Sequence, residues 1–222
     1  MHCELRLYRD ELPAQAAPFR LPPGAVRALY VVDGALRVHC DALRATLGAN
    51  TALQPESTLD YSGGSLPTIL LRWELVPAGA PQALPDVTTG SSTLLTAADM
   101  NLDPAVQWLL RCDRVDFPPG GEALTHTHRG GGIRCLLKGS IEIHTQGHQH
   151  RYAPLEPWFE AGPDPVYAAA SDSEPSAFAR VMILPRELLG KSSISYVNPE
   201  DLAKPKNQRY QVFIDSPIDL PA

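Results

Sequence analysis

Apolar and polar residues alternate along this chain over short stretches and rarely recur at a helical period. Leu36, Arg37, Val38 and His39 alternate strictly, as do Ile141, Glu142, Ile143 and His144, which is the pattern of half-buried strands. Similar runs occupy 27–32, 35–40, 69–76, 108–117, 133–137, 140–145 and 178–184, with β-branched and aromatic residues prominent in many. Glycine and proline, 16 and 22 residues, are spread between these runs as turn signals rather than gathered into a linker. Short strands punctuated this way predict an all-β fold, a barrel or a sandwich. Helices are few. Asn198 before Pro199, Glu200 and Asp201 reads as a cap followed by the first turn of one short helix, and Asp103-Pro104 could start another single turn.

The blocks repeat. Phe19 to Gly24 precedes RALYVVDG, ALRVHC, LQPES and TILLRWELVP; Phe117 to Gly120 precedes IRCLLKG, SIEIHT, LEPWFE and FARVMILP, in the same order. Gly34 answers to Gly139, His39 to His144, Pro55 to Pro157 and Arg72 to Arg180. The chain therefore reads as two copies of one β unit, over 1–95 and 96–188, followed by a tail over 189–222. The tail holds the short helix and a late strand near 210–214, suited to packing on a barrel edge, its own or that of a second copy in a homodimer. One segment breaks the symmetry: nine residues separate Gly24 from Gly34, but eighteen separate Gly120 from Gly139. The added stretch holds Thr125, His126, Thr127, His128, Arg129 and three glycines, so any chemistry is expected in the second copy.

Charge narrows the partners. Nineteen Lys and Arg against 25 Asp and Glu give a net charge of −6 over 222 residues. No basic patch stands out, which argues against nucleic acid as a partner. No apolar stretch is long enough to span a bilayer, and the charged N-terminal residues do not resemble a signal peptide, so a soluble cytoplasmic protein is expected. Cys3, Cys40, Cys112 and Cys135 are scattered and read as small apolar residues of a reducing compartment.

On a strand, residues i and i+2 point to the same side, so His126 and His128 can converge on one ion. His148 and His150 have the same spacing but follow Gln146-Gly147, and read as a solvated turn. The first pair sits in a pattern that resembles the first motif of the cupin superfamily. Gly120, five residues, His126-Thr-His128, three residues, position 132, six residues and Gly139 follow its spacing. Gly132 stands where that family has a metal-binding Glu. The second motif is weaker: with its glycine at Gly162, Glu160 replaces a proline, Pro165 replaces the third histidine and Ala169 replaces an asparagine.

The resemblance covers about residues 18–186 and implies a two-cupin (bicupin) chain of tandem jelly-roll barrels, the N-terminal copy degenerate. It further implies one divalent transition metal (Fe, Mn, Ni or Zn) inside the second barrel, held by His126 and His128. Glu160 is the first candidate for a third ligand, completing two histidines and one carboxylate; the alternatives are pairing with Arg134 or facing solvent. Arg134, Trp158 and Tyr167 are the candidate substrate contacts. An arginine in an alternating strand more often faces solvent, but turned inward Arg134 would grip a carboxylate. Of Trp158 and Phe159, adjacent and so on opposite faces, one is expected on the pocket wall. The function expected from the resemblance is a metalloenzyme acting on a small organic molecule, dioxygenase-like or else an isomerase or lyase. The alternative is a non-catalytic small-molecule-binding or sensing protein. No residue is singled out as catalytic.

Overall fold

The structure, a computed structural model, describes residues 1–40, 43–55, 58–84 and 89–221. It divides into two compact units, Met1–Ala105 with Asp219–Ala222, and Val106–Ile218. Strands of the first unit are β1 (His2–Leu12), β2 (Phe19–Leu21), β3 (Val26–Asp33), β4 (Ala35–Cys40), β5 (Leu43–Gly48), β6 (Thr51–Leu53), β7 (Leu59–Gly63), β8 (Thr68–Pro77) and β9 (Ser91–Asn101). Those of the second are β10 (Trp108–Phe117), β11 (Glu122–His128), β12 (Gly132–Lys138), β13 (Ile141–Thr145), β14 (His148–Tyr152), β15 (Pro157–Glu160), β16 (Val166–Ala170), β17 (Ser176–Pro185), β18 (Ile194–Tyr196) and β19 (Arg209–Ile218). No helix among the described residues is long and apolar enough to cross a membrane.

Each unit is a jelly-roll of two antiparallel sheets. In the first, the sheets run β6-β3-β8-β1-β9 and β2-β7-β4-β5; in the second, β15-β12-β17-β10-β19 and β14-β13-β16-β11-β18. Read in chain order, the first sheets of the two units have the same connectivity, so the repeat of sequence blocks is a repeat of topology. Gly34 and Gly139 both turn at positive φ, 80° and 72°, a conformation glycine adopts without strain. Beside them Thr68 Oγ1 donates to the Ala35 carbonyl and Ser176 Oγ to the Ser140 carbonyl, each at 2.7 Å. The two hairpins are built the same way.

The expected strands appear, 108–117 with the same limits, but β1 and β9 lie outside the expected runs. In β1 the charges Glu4, Arg6, Arg9, Asp10 and Glu11 obscure the alternation, yet Arg6 and Asp10 are buried because each has a partner. Asp10 accepts from Arg72 Nε at 2.8 Å, from Tyr61 at 2.6 Å and from Ser92. Arg72 also pairs with Glu74 at 2.8 Å, and Glu74 with Arg27 at 2.7 Å. Around this network Leu12, Leu21, Leu29, Leu36, Leu59 and Tyr61 close an apolar core.

The boundary expected at 95/96 falls inside β9, which pairs along its length with β1. The tail expected at 189–222 does not stand apart either. Its β19 pairs with β10 from Trp108↔Ile218 to Asp116↔Arg209, so the late strand completes its own barrel. The helix expected after Asn198 is one 3-10 turn, Pro199–Leu202, and Asp103 Oδ1 caps the turn at Ala105 N at 2.9 Å.

Asp10→Ala should cost about 3–5 kcal/mol, because it leaves Arg72 and Arg27 to share the one carboxylate of Glu74 in a buried core. Tyr61→Phe, which removes one hydrogen bond, should cost about 1 kcal/mol. Urea midpoints check this; equal losses would contradict the ion-pair account.

Candidate metal centre

His126 and His128 reach the interior through an irregularity in β11. Ala123 pairs with Ala168 but His126 pairs with Val166, three residues on one strand against two on the other. Such a bulge reverses which residues face inward. Ala123, on one side of it, and His126 and His128, on the other, all line the same interior cavity. Had the alternation run unbroken from Ala123, Thr125 and Thr127 would face inward instead. The backbone N–H of His128 donates to the Gly162 carbonyl at 2.7 Å, which is the work of the one residue that survives from the second motif.

Both imidazoles are buried, with Nε2 atoms 3.2 Å apart and ring planes nearly perpendicular. His126 Nδ1 lies 2.7 Å from the Leu124 carbonyl, an obligate acceptor, so Nδ1 carries the proton and the neutral ring turns a lone pair inward from Nε2. His128 Nδ1 meets Ser193 Oγ at 3.2 Å. Burial lowers the pKa of His126, and lowers that of His128 well below the ordinary value, with Arg134 and Arg180 adding to the effect on His128. Neutral rings with outward-bonded Nδ1 atoms are what metal-ligating histidines present. Two nitrogens held at about 2.0–2.1 Å by one ion with an angle near 90–110° stand roughly 2.9–3.4 Å apart, so the spacing of the pair fits a shared ion.

The third donor is engaged elsewhere. Glu160 Oε2 lies 3.6 Å from His128 Nε2 but 2.6 Å from Arg134 Nη2, and Trp158 Nε1 donates to Oε1 at 2.8 Å. The contact with Arg134 is an ion pair without hydrogen-bond geometry at Nη2. Among the described residues, no three His, Cys, Asp or Glu side chains gather into a set able to hold an ion as they stand. The residues present therefore fit an ion as two imidazoles, with Glu160 beside them and shared with Arg134.

Arg134 does not face solvent as an arginine in such a strand usually would. It is 1% exposed, sits opposite Trp158 and Arg180 on neighbouring strands, and donates from Nη1 to the Gly132 carbonyl at 2.6 Å. Burial brings its pKa down to about 10 against the opposing pull of Glu160. The carboxylate it grips is this internal one, not that of a substrate. Trp158 lines the cavity as expected, while Phe159 faces the other way and packs by Gly131. Tyr167 is placed apart. On β16 the inward residues are Val166 and Ala168, so Tyr167 points outward and donates to Glu122 at 2.7 Å. The third-histidine position, 165, shares that outward parity, and the inward neighbour Val166 has no donor atom. His148 and His150 are exposed on β14, beyond the Gln146-Gly147 turn.

Gly132 is glycine for a steric reason. A Cβ there would run into the Val181 carbonyl, with Met182 close behind, because β12 lies hard against β17. No side chain can start from that position, so the family's Glu has no room. The pair sits on the wall of a cavity of about 20 Å³, enough for one water-sized occupant. Ser193, Arg180 and Tyr210 also matter here and escaped the sequence reading. Arg180 carried a signal as the repeat mate of Arg72; Ser193 lies in a polar stretch that reads as tail.

Gly132→Glu should unfold or strongly destabilise the second unit rather than add a ligand, and even Gly132→Ala should cost about 1–3 kcal/mol by urea denaturation. A Gly132→Glu protein as stable as the parent would contradict the packing. The depressed histidine pKa values also set a pH dependence. Below about 6.5 the unfolded chain takes up protons at 126 and 128 that the folded chain refuses, so metal-free stability should fall as pH drops from about 7 to 5. His126→Gln/His128→Gln should flatten that slope in urea midpoints; an unchanged slope would contradict it.

No protein-family model matches the chain, and no curated protein matches it. Solved structures do. AerE from Microcystis aeruginosa is similar with a TM-score of 0.60 and 15% identity, over 82% of this chain and 93% of that one. Salicylate 1,2-dioxygenase from Pseudaminobacter salicylatoxidans is similar with a TM-score of 0.57 and 9% identity, over 94% and 75%. Bacillus subtilis oxalate decarboxylase, whose Mn(II) centres have been studied, gives 0.63 and 10%, over 90% and 73%. Identities this low speak to the fold alone, and they support an all-β fold of cupin-type jelly-roll barrels.

Proposed function

We propose that the second barrel is a mononuclear metal site acting on a small organic molecule, with dioxygenase-like chemistry, and that the first barrel is a degenerate structural copy. One observation carries the reading: two buried neutral imidazoles whose Nε2 atoms face each other at 3.2 Å, each steered by a bond at Nδ1. In the metal-free chain a proton on His128 Nε2 bonds His126 Nε2, with His128 Nδ1 accepting from the Ser193 hydroxyl, and a cation between the rings would take that proton's place. Glu160 supports the choice of chemistry, since two histidines and one carboxylate with open positions suit Fe(II) or Mn(II). When bound, such an ion supplies Lewis-acid polarisation and a route to dioxygen.

The chain's own residues do the rest. Leu124 and Ser193 fix the ring orientations, and Val115, Phe117, Ile143 and Phe178 give the cavity an apolar wall. Arg134 holds Glu160 in place and competes for the same oxygen, so it tunes how strongly the carboxylate is offered. The non-catalytic alternative draws on the size of the inner cavity, about 20 Å³, which leaves an organic molecule outside the histidine pair.

Metal content by plasma mass spectrometry tests the proposal. After reconstitution with Fe(II) or Mn(II) the protein should hold close to one ion per chain, and His126→Ala/His128→Ala should hold about tenfold less or none. Arg134→Met should raise metal affinity, because it frees Glu160, while costing the metal-free protein about 3–5 kcal/mol. No metal in the parent protein would overturn the site. Metal without oxygen uptake on any small organic acid would favour the non-catalytic reading.

A further inference from the structure

The second unit contains a larger cavity, about 900 Å³, outside the histidine pair. Its walls come from β18, β19, the 190–193 segment and the 3-10 turn at Pro199–Leu202. Its charge opposes that of the chain. Arg111, Arg180, Lys191 and Lys206 face Asp113 and Asp215, four cations less two carboxylates, a surplus of two in a protein of net charge −6. The two arginines are matched: Arg180 Nε bonds Asp113 at 2.7 Å and Arg111 bonds both oxygens of Asp215 at 3.0 Å. The lysines are not, for neither Lys191 nor Lys206 makes an ion pair among the described residues. Lys206 Nζ instead meets the carbonyls of Asp201 and Lys204 and lies 4.3 Å from the centre of the Tyr196 ring.

The same cavity has an apolar side. Leu202, Val212 and Tyr210 line it and are 72%, 54% and 45% exposed, among the largest hydrophobic side chains left facing solvent. A strand edge and a turn that leave such residues uncovered beside unmatched lysines suit an occupant with a negative end and an apolar body. Arg180, Ile194 and Tyr210 line both this cavity and the small inner one, so the two are neighbours through a wall of three side chains. Ser193 is shared in another way, lining the outer cavity while its Oγ contacts His128 Nδ1 at 3.2 Å.

We propose that this outer cavity binds a small amphipathic carboxylate, its charge on Lys191 and Lys206 and its apolar body on Leu202, Tyr210 and Val212. The proposal deepens the reading of the second barrel as a small-molecule site by naming the class of molecule it takes, but the binding itself does not require the ion. Occupancy also bears on the histidines, because a ligand that draws the Ser193 hydroxyl changes the partner of His128.

The test uses the full chain stripped with EDTA, then the same protein loaded with Mn(II), titrated calorimetrically with phenylacetate and with its neutral isostere phenylacetamide. Phenylacetate should bind both forms, about tenfold more tightly than the amide, and less tightly as salt is raised. Lys191→Gln/Lys206→Gln, at exposed positions and with folding checked by circular dichroism, should bring the two probes level. Val212→Asp should weaken phenylacetate binding without unfolding the barrel. Equal binding of acid and amide to the parent protein, or binding of neither, would overturn the proposal. Loss of the metal reading would show instead as absent metal with phenylacetate binding intact, so the two failures are distinguishable.

Discussion

Four charges are buried at the centre of the second barrel, and what the barrel can hold depends on how they pair. Glu160 is set against Arg134 and Asp113 against Arg180, two carboxylates and two guanidinium groups, of which Glu160 and Arg180 line the small cavity beside the histidines. Uncompensated, any one of them would be expensive to keep out of water. Because the set already balances, the neutral histidines beside it are not committed to a counter-charge. A divalent ion on them would add two positive charges to a balanced interior, and an anionic molecule from the cationic outer cavity would offset that addition. Electrostatics would thus tie the proposed ion and the proposed ligand together, in their different cavities.

Two features of backbone geometry put those groups where they are. The irregular pairing between β11 and β16 turns both histidines inward, and the Gly162 carbonyl holds the His128 backbone at 2.7 Å. The glycines at 130 and 132 let β12 begin against β17 more closely than any side chain allows. That closeness removes the position from which a further carboxylate would reach in. The strand packing that builds the site is also what limits its donor set, leaving Glu160 as the carboxylate nearest the pair.

Much of this was legible in the sequence, and the exceptions have physical reasons. The repeat, the strands around Gly34 and Gly139 and the His126/His128 pair follow from alternation and spacing, which act locally. β1 was not legible, since its charges look solvent-facing until Arg72 and Tyr61, some fifty or sixty residues away, are known to meet Asp10. Arg134 misled for the same reason: its counter-charge, Glu160, lies on a neighbouring strand. Tyr167 misled because placing its face from the weak second motif counted along the wrong parity of β16. The outer cavity was invisible, being assembled from β18, β19 and a turn that sequence order presents as a tail.

The claim at the centre of this account is that His126 and His128 ligate one ion through Nε2. Electron spin echo spectroscopy of the Mn(II)-loaded protein tests it most directly, because nitrogen bound to manganese modulates the echo and water oxygen does not. Modulation from two imidazole nitrogens, lost together in His126→Ala/His128→Ala, is the predicted result. A Mn(II) signal without nitrogen modulation would place the ion elsewhere and contradict the account.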